Sequence, residues 1–159
     1  MRSMEEYNCD MVISDFYRVS GERLAQKGDI EEDKVMSRQE FASYMIENPA
    51  DFYYGVLWNK MYRRSIIEEY HIRMDTSISW CEDFLFNLEY IRHAESFFAL
   101  QVPIYYYLKR RGSLVSQGAS ITNTVRMKSN IFEYYNEFYK DVYEDKDYAD
   151  IRLQVYSFL

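Results

Sequence analysis

Two Ser-x-x-Glu runs, Ser37-Arg38-Gln39-Glu40 and Ser79-Trp80-Cys81-Glu82, each stand before residues whose apolar members recur every three or four positions. In such a capping box the serine oxygen accepts a free backbone N–H of the first helical turn, and the glutamate reaches back to the serine amide. The first box predicts a helix through Phe41, Tyr44 and Met45. It stops before Asn48-Pro49, because the residue ahead of a proline is pushed out of helical geometry. The second predicts a helix through Phe84, Leu88 and Ile91. Shorter apolar runs lie between these helix starts. Residues 9–17 read as a buried strand running to an exposed end, and Ser20-Gly21-Glu22 as the turn of a hairpin with 23–27. Residues 96–100 and 104–108 read as two strands around Pro103. Residues 1–7 read as the tail of a helix, and 28–33 as a polar loop. Residues 63–70 form a short helix that buries Ile66 and Ile67. Helix starts interleaved with short strands predict a mixed, helix-rich α/β fold.

The C-terminal third is helical. Val125, Phe132, Tyr135 and Phe138 fit one stripe, and Tyr148, Ile151, Val155 and Phe158 another. Ahead of it, residues 109–122 carry Gly112, Gly118 and three serines, the composition of a mobile loop. Leu159 falls within the second stripe without a cap or a glycine, so the helix is expected to continue past it. With no repeat, linker or low-complexity segment, residues 1–159 read as one domain: a sheet-bearing part over 1–121 and a helical extension over 122–159.

At 159 residues, 48% of them hydrophobic and 18% aromatic, the chain can bury a sizeable core and is not a disordered polymer. Its 17 tyrosines each offer an apolar body and a polar tip, which suits half-wet grooves and interfaces. A net charge of -7 argues against general nucleic-acid binding, which works by neutralising phosphates. The charge is uneven. Between Ser96 and Phe132 there is no acid, and Lys109, Arg110, Arg111, Arg126 and Lys128 are all basic. This stretch reads either as a phosphate-holding segment or as a solvated loop and helix face. Cys9 and Cys81 lack metal or redox spacing, so a reduced, cytoplasmic setting is the default. No apolar run approaches the roughly 20 residues that span a bilayer, and the start lacks an apolar signal core. Peripheral attachment to a membrane stays compatible with both observations.

Three features bear on chemistry. Glu82-Asp83 can serve as the acidic first turn of a helix, with Glu82 completing the capping box. Alternatively, Asp83 is a general base for a hydroxyl, with Trp80 beside it as a flat face for a sugar ring. Trp58-Asn59-Lys60 reads either as a core tryptophan before a solvated lysine or as part of a binding groove. Asp145-Lys146-Asp147 has the letters of a metal motif but lies in a helical stretch with no strand before it. His71 and His93 have no partners at ligand spacing. Cys81, near a helix start, has either a lowered thiol pKa or a small buried packing role.

In order, the chain carries Trp58-Asn59-Lys60-Met61-Tyr62, Met74-Asp75, Glu82-Asp83 and Ile104-Tyr105-Tyr106-Tyr107, then Arg110-Arg111-Gly112-Ser113 with Ser116. This succession resembles the acceptor-side part of family 2 glycosyltransferases with the GT-A fold, and the likeness extends back to Cys9. The resemblance implies a partial GT-A sheet flanked by helices, with Asp83 as base of an inverting sugar transfer and Glu82 beside it. Trp58, Asn59, Lys60 and Trp80 would line the sugar and acceptor groove, and Arg111 and Ser113 the loop that closes over the pyrophosphate. It implies a nucleotide-sugar donor and a glycan or lipid-linked acceptor, in surface-polysaccharide or related synthesis. The nucleotide-binding half and the Asp-x-Asp that would hold Mn²⁺ or Mg²⁺ are not found, so no cofactor or metal site is expected in this chain. Alone it should be inactive. Two alternatives stand beside this reading. One is a non-catalytic interaction module, a homodimer or a partner of a separate nucleotide-binding subunit, using an uncovered sheet edge and its aromatic residues. The other, RNA binding by 105–128, conflicts with the overall acidity.

Overall fold

A computed structural model describes residues 1–48, 51–76, 81–108 and 121–158, the side chains of 121–127 and of residue 130 excepted. Seven strands and seven helices are defined among them. They are α1 (Arg2–Glu6), β1 (Met11–Ser14), β2 (Phe16–Ser20), β3 (Arg23–Lys27), β4 (Lys34–Ser37), α2 (Arg38–Glu47) and α3 (Phe52–Gly55). After these come β5 (Lys60–Tyr62), α4 (Arg64–Glu69), α5 (Glu82–His93), β6 (Ser96–Leu100), β7 (Tyr106–Leu108), α6 (Ile121–Val142) and α7 (Asp145–Tyr156). The fold is mixed α/β and helix-rich, as expected.

The strands form two sheets, ordered β4-β6-β1-β5 and β3-β2-β7. In the first, β1 runs parallel to β6 and antiparallel to β5, while β4 is antiparallel to β6. In the second, β2 is parallel to β7 and antiparallel to β3. The expected single strand over 9–17 is therefore two strands, broken at Asp15. There the Asp15 N–H still donates to Leu100 O, at 3.1 Å, while its carbonyl accepts from Ile104, at 3.2 Å. The companion strand breaks at the same level, over 101–105, where Pro103 has no N–H to offer a ladder. β1 and β6 thus leave the first sheet side by side and enter the second as β2 and β7.

Alternation along the first sheet sorts its residues onto two faces. Met11, Ile13, Met36, Phe97 and Ala99 are buried on one face with Phe41 and Met45 of α2, Phe84, Leu88 and Ile91 of α5, and Tyr135, Phe138 and Tyr139 of α6. Phe41 stacks on Phe97, ring centroids 4.7 Å apart. On the opposite face Cys9, Val12 and Phe98 are covered by Met4 and by Tyr7, whose ring stacks on Phe98. Tyrosine hydroxyls tie the helices together. Tyr139 donates to Ala42 O at 3.0 Å and Tyr143 to Gln39 O at 3.1 Å, so α6 is fastened along α2.

Several local expectations change. Ser37 does cap α2, accepting the Glu40 N–H at 3.2 Å, but the Glu40 carboxylate pairs with Lys34 at 2.6 Å. Lys34 belongs to β4, a strand the sequence pattern did not reveal. The second capping box is corrected: the residue preceding α5 is Cys81, in left-handed geometry with φ 67° and no side-chain cap. Glu82 is thus the first helical residue rather than the third, and Ser79 lies outside the described residues. In the 63–70 helix Ile66 is buried and Ile67 only half-buried. Of the loop over 109–122, residues 109–120 lie outside the described residues and Ile121 already belongs to α6. No helix among the described residues is long and apolar enough to cross a membrane.

Candidate functional site

The site is built around α3, a single helical turn. Asp51 caps its start, accepting the Tyr53 N–H at 2.6 Å. Its other end leaves carbonyls with no partner inside so short a helix. Three side chains, Asn59 just ahead of β5, Lys60 of β5 and Asn87 of α5, take them up. Asn59 Nδ2 donates to Tyr53 O at 2.9 Å. Lys60 Nζ donates to Tyr53 O at 2.8 Å, to Val56 O at 2.6 Å and to Asn59 Oδ1 at 2.9 Å. Asn87 Nδ2 donates to Tyr54 O and Gly55 O, both at 3.0 Å. A positive charge against helix-terminal carbonyls is favourable.

Both asparagines are fully buried and anchored beyond the turn. Asn59 Nδ2 also donates to Ser14 O, and its own carbonyl accepts from the Ser14 amide and hydroxyl at 2.8 and 3.1 Å. Asn87 Oδ1 accepts the Tyr62 hydroxyl at 2.6 Å. The end of β1, strand β5 and helix α5 therefore converge on one turn of backbone.

Asp83 stands half-exposed in the first turn of α5, four residues before Asn87, and its carboxylate faces the Leu57 backbone N–H, the next amide beyond the fastened carbonyls. Burial raises its pKa above the ordinary carboxylate value, and neighbouring Glu82 adds to the rise. The Leu57 N–H and the charge of Lys60 oppose it. Lys60 is pulled well below its usual value by burial, against the attraction of Asp83 and Asp51. The Tyr62 hydroxyl is held protonated by burial and by the charge of Asp83. The Cys81 thiol is pushed up to about 11, first by burial and then by Glu82 and Asp83. Of the two readings of Cys81, the packing role is the one that stands: burial, ahead of the two carboxylates, outweighs the helix start, and the side chain packs against the core.

Trp58 is half-buried, stacked on Tyr105 with centroids 4.3 Å apart and on Tyr107 at 5.8 Å, with Phe16 edge-on at 4.9 Å. The structure therefore brings Asp83, Glu82, Asn59 and Lys60 to one turn, with Trp58 joining it to the second sheet. Trp80, Arg111 and Ser113 lie outside the described residues. Lys60 is not a solvated lysine. Asn87 and Tyr62 were not singled out as site residues. Asn87 sits four residues after Asp83, a polar residue within an apolar helix face, and that spacing was the available signal. Among the described residues, no three His, Cys, Asp or Glu side chains gather as a metal site. Asp145 and Asp147 lie in the first turn of α7.

No family model matches the chain. Over 111 residues, 69% of its length, it is 27% identical to the uncharacterized glycosyltransferase EpsJ of Bacillus subtilis (strain 168), covering 32% of that protein. The crystal structure of S. aureus TarS 1-349 in complex with UDP-GlcNAc superposes with a TM-score of 0.60 at 18% identity, over 87% of this chain and 36% of that one. The UDP complex of the same TarS segment gives 0.55 at 14% identity, with coverage of 87% and 33%. The chain thus resembles glycosyltransferases in both sequence and fold, and spans about a third of the length of each of these proteins.

Proposed function

We propose that the chain is the acceptor-side portion of an inverting, nucleotide-sugar-dependent glycosyltransferase of family 2, with a GT-A fold and Asp83 as general base. The observation that carries this is Asp83 itself. It is a half-exposed carboxylate, made more basic by burial and facing the Leu57 amide at the start of α5. A carboxylate of raised basicity that is open to solvent is suited to accept a proton. In the transfer, Asp83 takes the proton of an acceptor hydroxyl. The freed oxygen lone pair attacks the anomeric carbon from the face opposite the nucleoside diphosphate. The bond between that carbon and the diphosphate oxygen breaks, and its electrons leave with the diphosphate. Glu82 keeps the neighbourhood negative and thereby supports the basicity of Asp83.

The TarS complexes with UDP and UDP-GlcNAc, and the glycosyltransferase name of EpsJ, support a uridine-nucleotide sugar as the donor class. The acceptor would be a glycan or a lipid-linked saccharide at the cytoplasmic side of a membrane. Trp58, Trp80, Arg111 and Ser113 are the proposed groove residues. A complete enzyme would hold Mn²⁺ or Mg²⁺ against the diphosphate. The described residues offer no such site, and the role of Asp83 does not depend on it. By itself the chain would bind no nucleotide and be inactive.

The test has two arms. Thermal unfolding of the chain with UDP or UDP-GlcNAc, with and without Mn²⁺, should show no shift; a metal-dependent rise would overturn the acceptor-side assignment. In a protein that joins this chain to its nucleotide-binding half, Asp83→Asn should lower turnover by at least about 100-fold, the scale of general-base catalysis. Undiminished turnover would remove Asp83 as the base.

A second reading rests on the sheet β3-β2-β7. Register places Tyr17, Val19, Leu24, Tyr106 and Leu108 on one face, and Leu24, Tyr106 and Leu108 are exposed. An exposed apolar face of this kind fits an interaction module. A monomeric mass in solution would count against it.

A further inference from the structure

We infer that Lys60 is a positioning residue for Asp83: its ammonium locks the turn over Tyr53–Val56 and thereby aims the Leu57 amide at the Asp83 carboxylate. This inference rests on Asp83 as the proposed base. A lysine ammonium carries three N–H donors and a neutral amine only two. Lys60 Nζ meets three oxygens, Tyr53 O, Val56 O and Asn59 Oδ1, at 2.6 to 2.9 Å. The three-point contact matches the charged form and uses every donor, leaving none for a sugar hydroxyl or a phosphate. Lys60 therefore acts behind the groove rather than in it.

Its position gives it two effects on Asp83. The first is geometric. Val56 O and the Leu57 amide belong to the same peptide unit, which is planar. Fastening Val56 O to Lys60 therefore orients the Leu57 N–H that faces Asp83, which stands one turn ahead of Asn87 over the same peptides. Asn87, reaching Tyr54 O and Gly55 O from α5, fixes the same turn from the other side. The second effect is electrostatic. Among the described residues, Lys60 is the positive charge facing Asp83, set against Glu82 on the same helix. Asp51 is the other carboxylate facing Lys60, and the Tyr62 hydroxyl faces Asp83 without losing its proton. Removing the ammonium deprives Asp83 of both its aligned donor and its counter-charge, and both losses favour the protonated acid.

The experiment is a pair of NMR titrations on the chain, with carboxyl-¹³C aspartate and ζ-¹⁵N lysine. In Lys60→Met the Asp83 midpoint should rise by about one pH unit, a tenfold gain in proton affinity. The Leu57 amide resonance should lose its dependence on that titration. Lys60→Arg, which keeps the charge but not the compact three-point contact, should restore part of the midpoint and not the amide response. Linkage requires the converse: Asp83→Asn should lower the Lys60 ammonium midpoint by a matching amount. An unchanged Asp83 midpoint in folded Lys60→Met would overturn the inference. Should that variant not fold, an unmoved Lys60 midpoint in Asp83→Asn would do the same. Coupling that persists while Asp83→Asn retains full turnover in the joined protein would retire the base and leave the pair standing. Loss of turnover without coupling would retire only the role of Lys60.

Discussion

Cys81 is the residue on which the start of α5 depends. Its φ of 67° costs any side chain free energy, and a β-branched one most of all. Cys81→Val should destabilise the chain by about 1–2 kcal/mol in urea denaturation, and Cys81→Asn by less. Because the thiol is held up near 11, iodoacetamide should modify Cys81 slowly at neutral pH. The buried acid Asp15 has one oxygen on Gln26 Nε2 at 2.7 Å and the other without a hydrogen-bond partner among the described residues. Burial raises its pKa, with Asp33 adding to the rise and Gln26 opposing it. The folded chain then keeps a proton that the unfolded chain has released, so stability is greatest below the ordinary carboxylate range and falls as pH rises through the raised value. Asp15→Asn should therefore raise the melting temperature at neutral pH, and the gain should vanish on acidification. Gly28 lies against the same carboxylate. A Cβ there would fall 2.0 Å from Asp15 Oδ1, so Gly28→Ala should cost about 1–3 kcal/mol by calorimetry.

At the level of elements, the turn α3 is held by its neighbours more than by its own hydrogen bonds. Asn87→Ala would strand the Tyr54 and Gly55 carbonyls and the Tyr62 hydroxyl together. A loss of about 3 kcal/mol is expected in chemical denaturation, with Leu57 and Asp83 resonances shifting first. Elements with local signals were legible. α2 followed from Ser37 and the spacing of Phe41 and Met45, and the β2–β3 hairpin from Ser20-Gly21-Glu22. β4 was not, because Lys-Val-Met-Ser has too few residues to display a period, and its pairing with β6 bridges some sixty positions of sequence. The second capping box had the right letters, but the backbone turns left-handed at Cys81 and begins the helix two residues late. The candidate site was legible in part. The pattern brought Asp83, Asn59 and Lys60 forward, but not the direction of the Asn59 and Lys60 side chains, which depends on carbonyls four to seven residues earlier.

For the whole molecule, α6 and α7 close the core over the same face of the first sheet that α2 and α5 cover. Phe158 stacks on Tyr135 with centroids 4.5 Å apart. The C-terminal helices are therefore part of the folding unit, and removing the last four residues should lower the melting temperature by several degrees. Among the described residues, α1 and the Tyr7 that follows it cover the centre of the opposite face, with Val35 and Met61 exposed at its flanks. Mixed parallel and antiparallel pairing, with contacts far apart in sequence, was legible as a class but not as an order of strands. The order follows from packing between segments that no short motif records.

The passage of β1 and β6 together from one sheet into the other has a mechanical meaning. Two parallel spans crossing the same gap act as a pair of hinge pins, leaving the β2–β3 hairpin one axis on which to tilt. That axis runs beside Ser14, which grips Asn59, and beside Tyr105, which lies against Trp58. Any tilt of the hairpin is therefore geared to both ends of the Trp58-Asn59-Lys60 run. The same run that touches the outer sheet through Trp58 thus closes on the turn through Lys60, so the two sheets and the turn share one continuous stretch of chain.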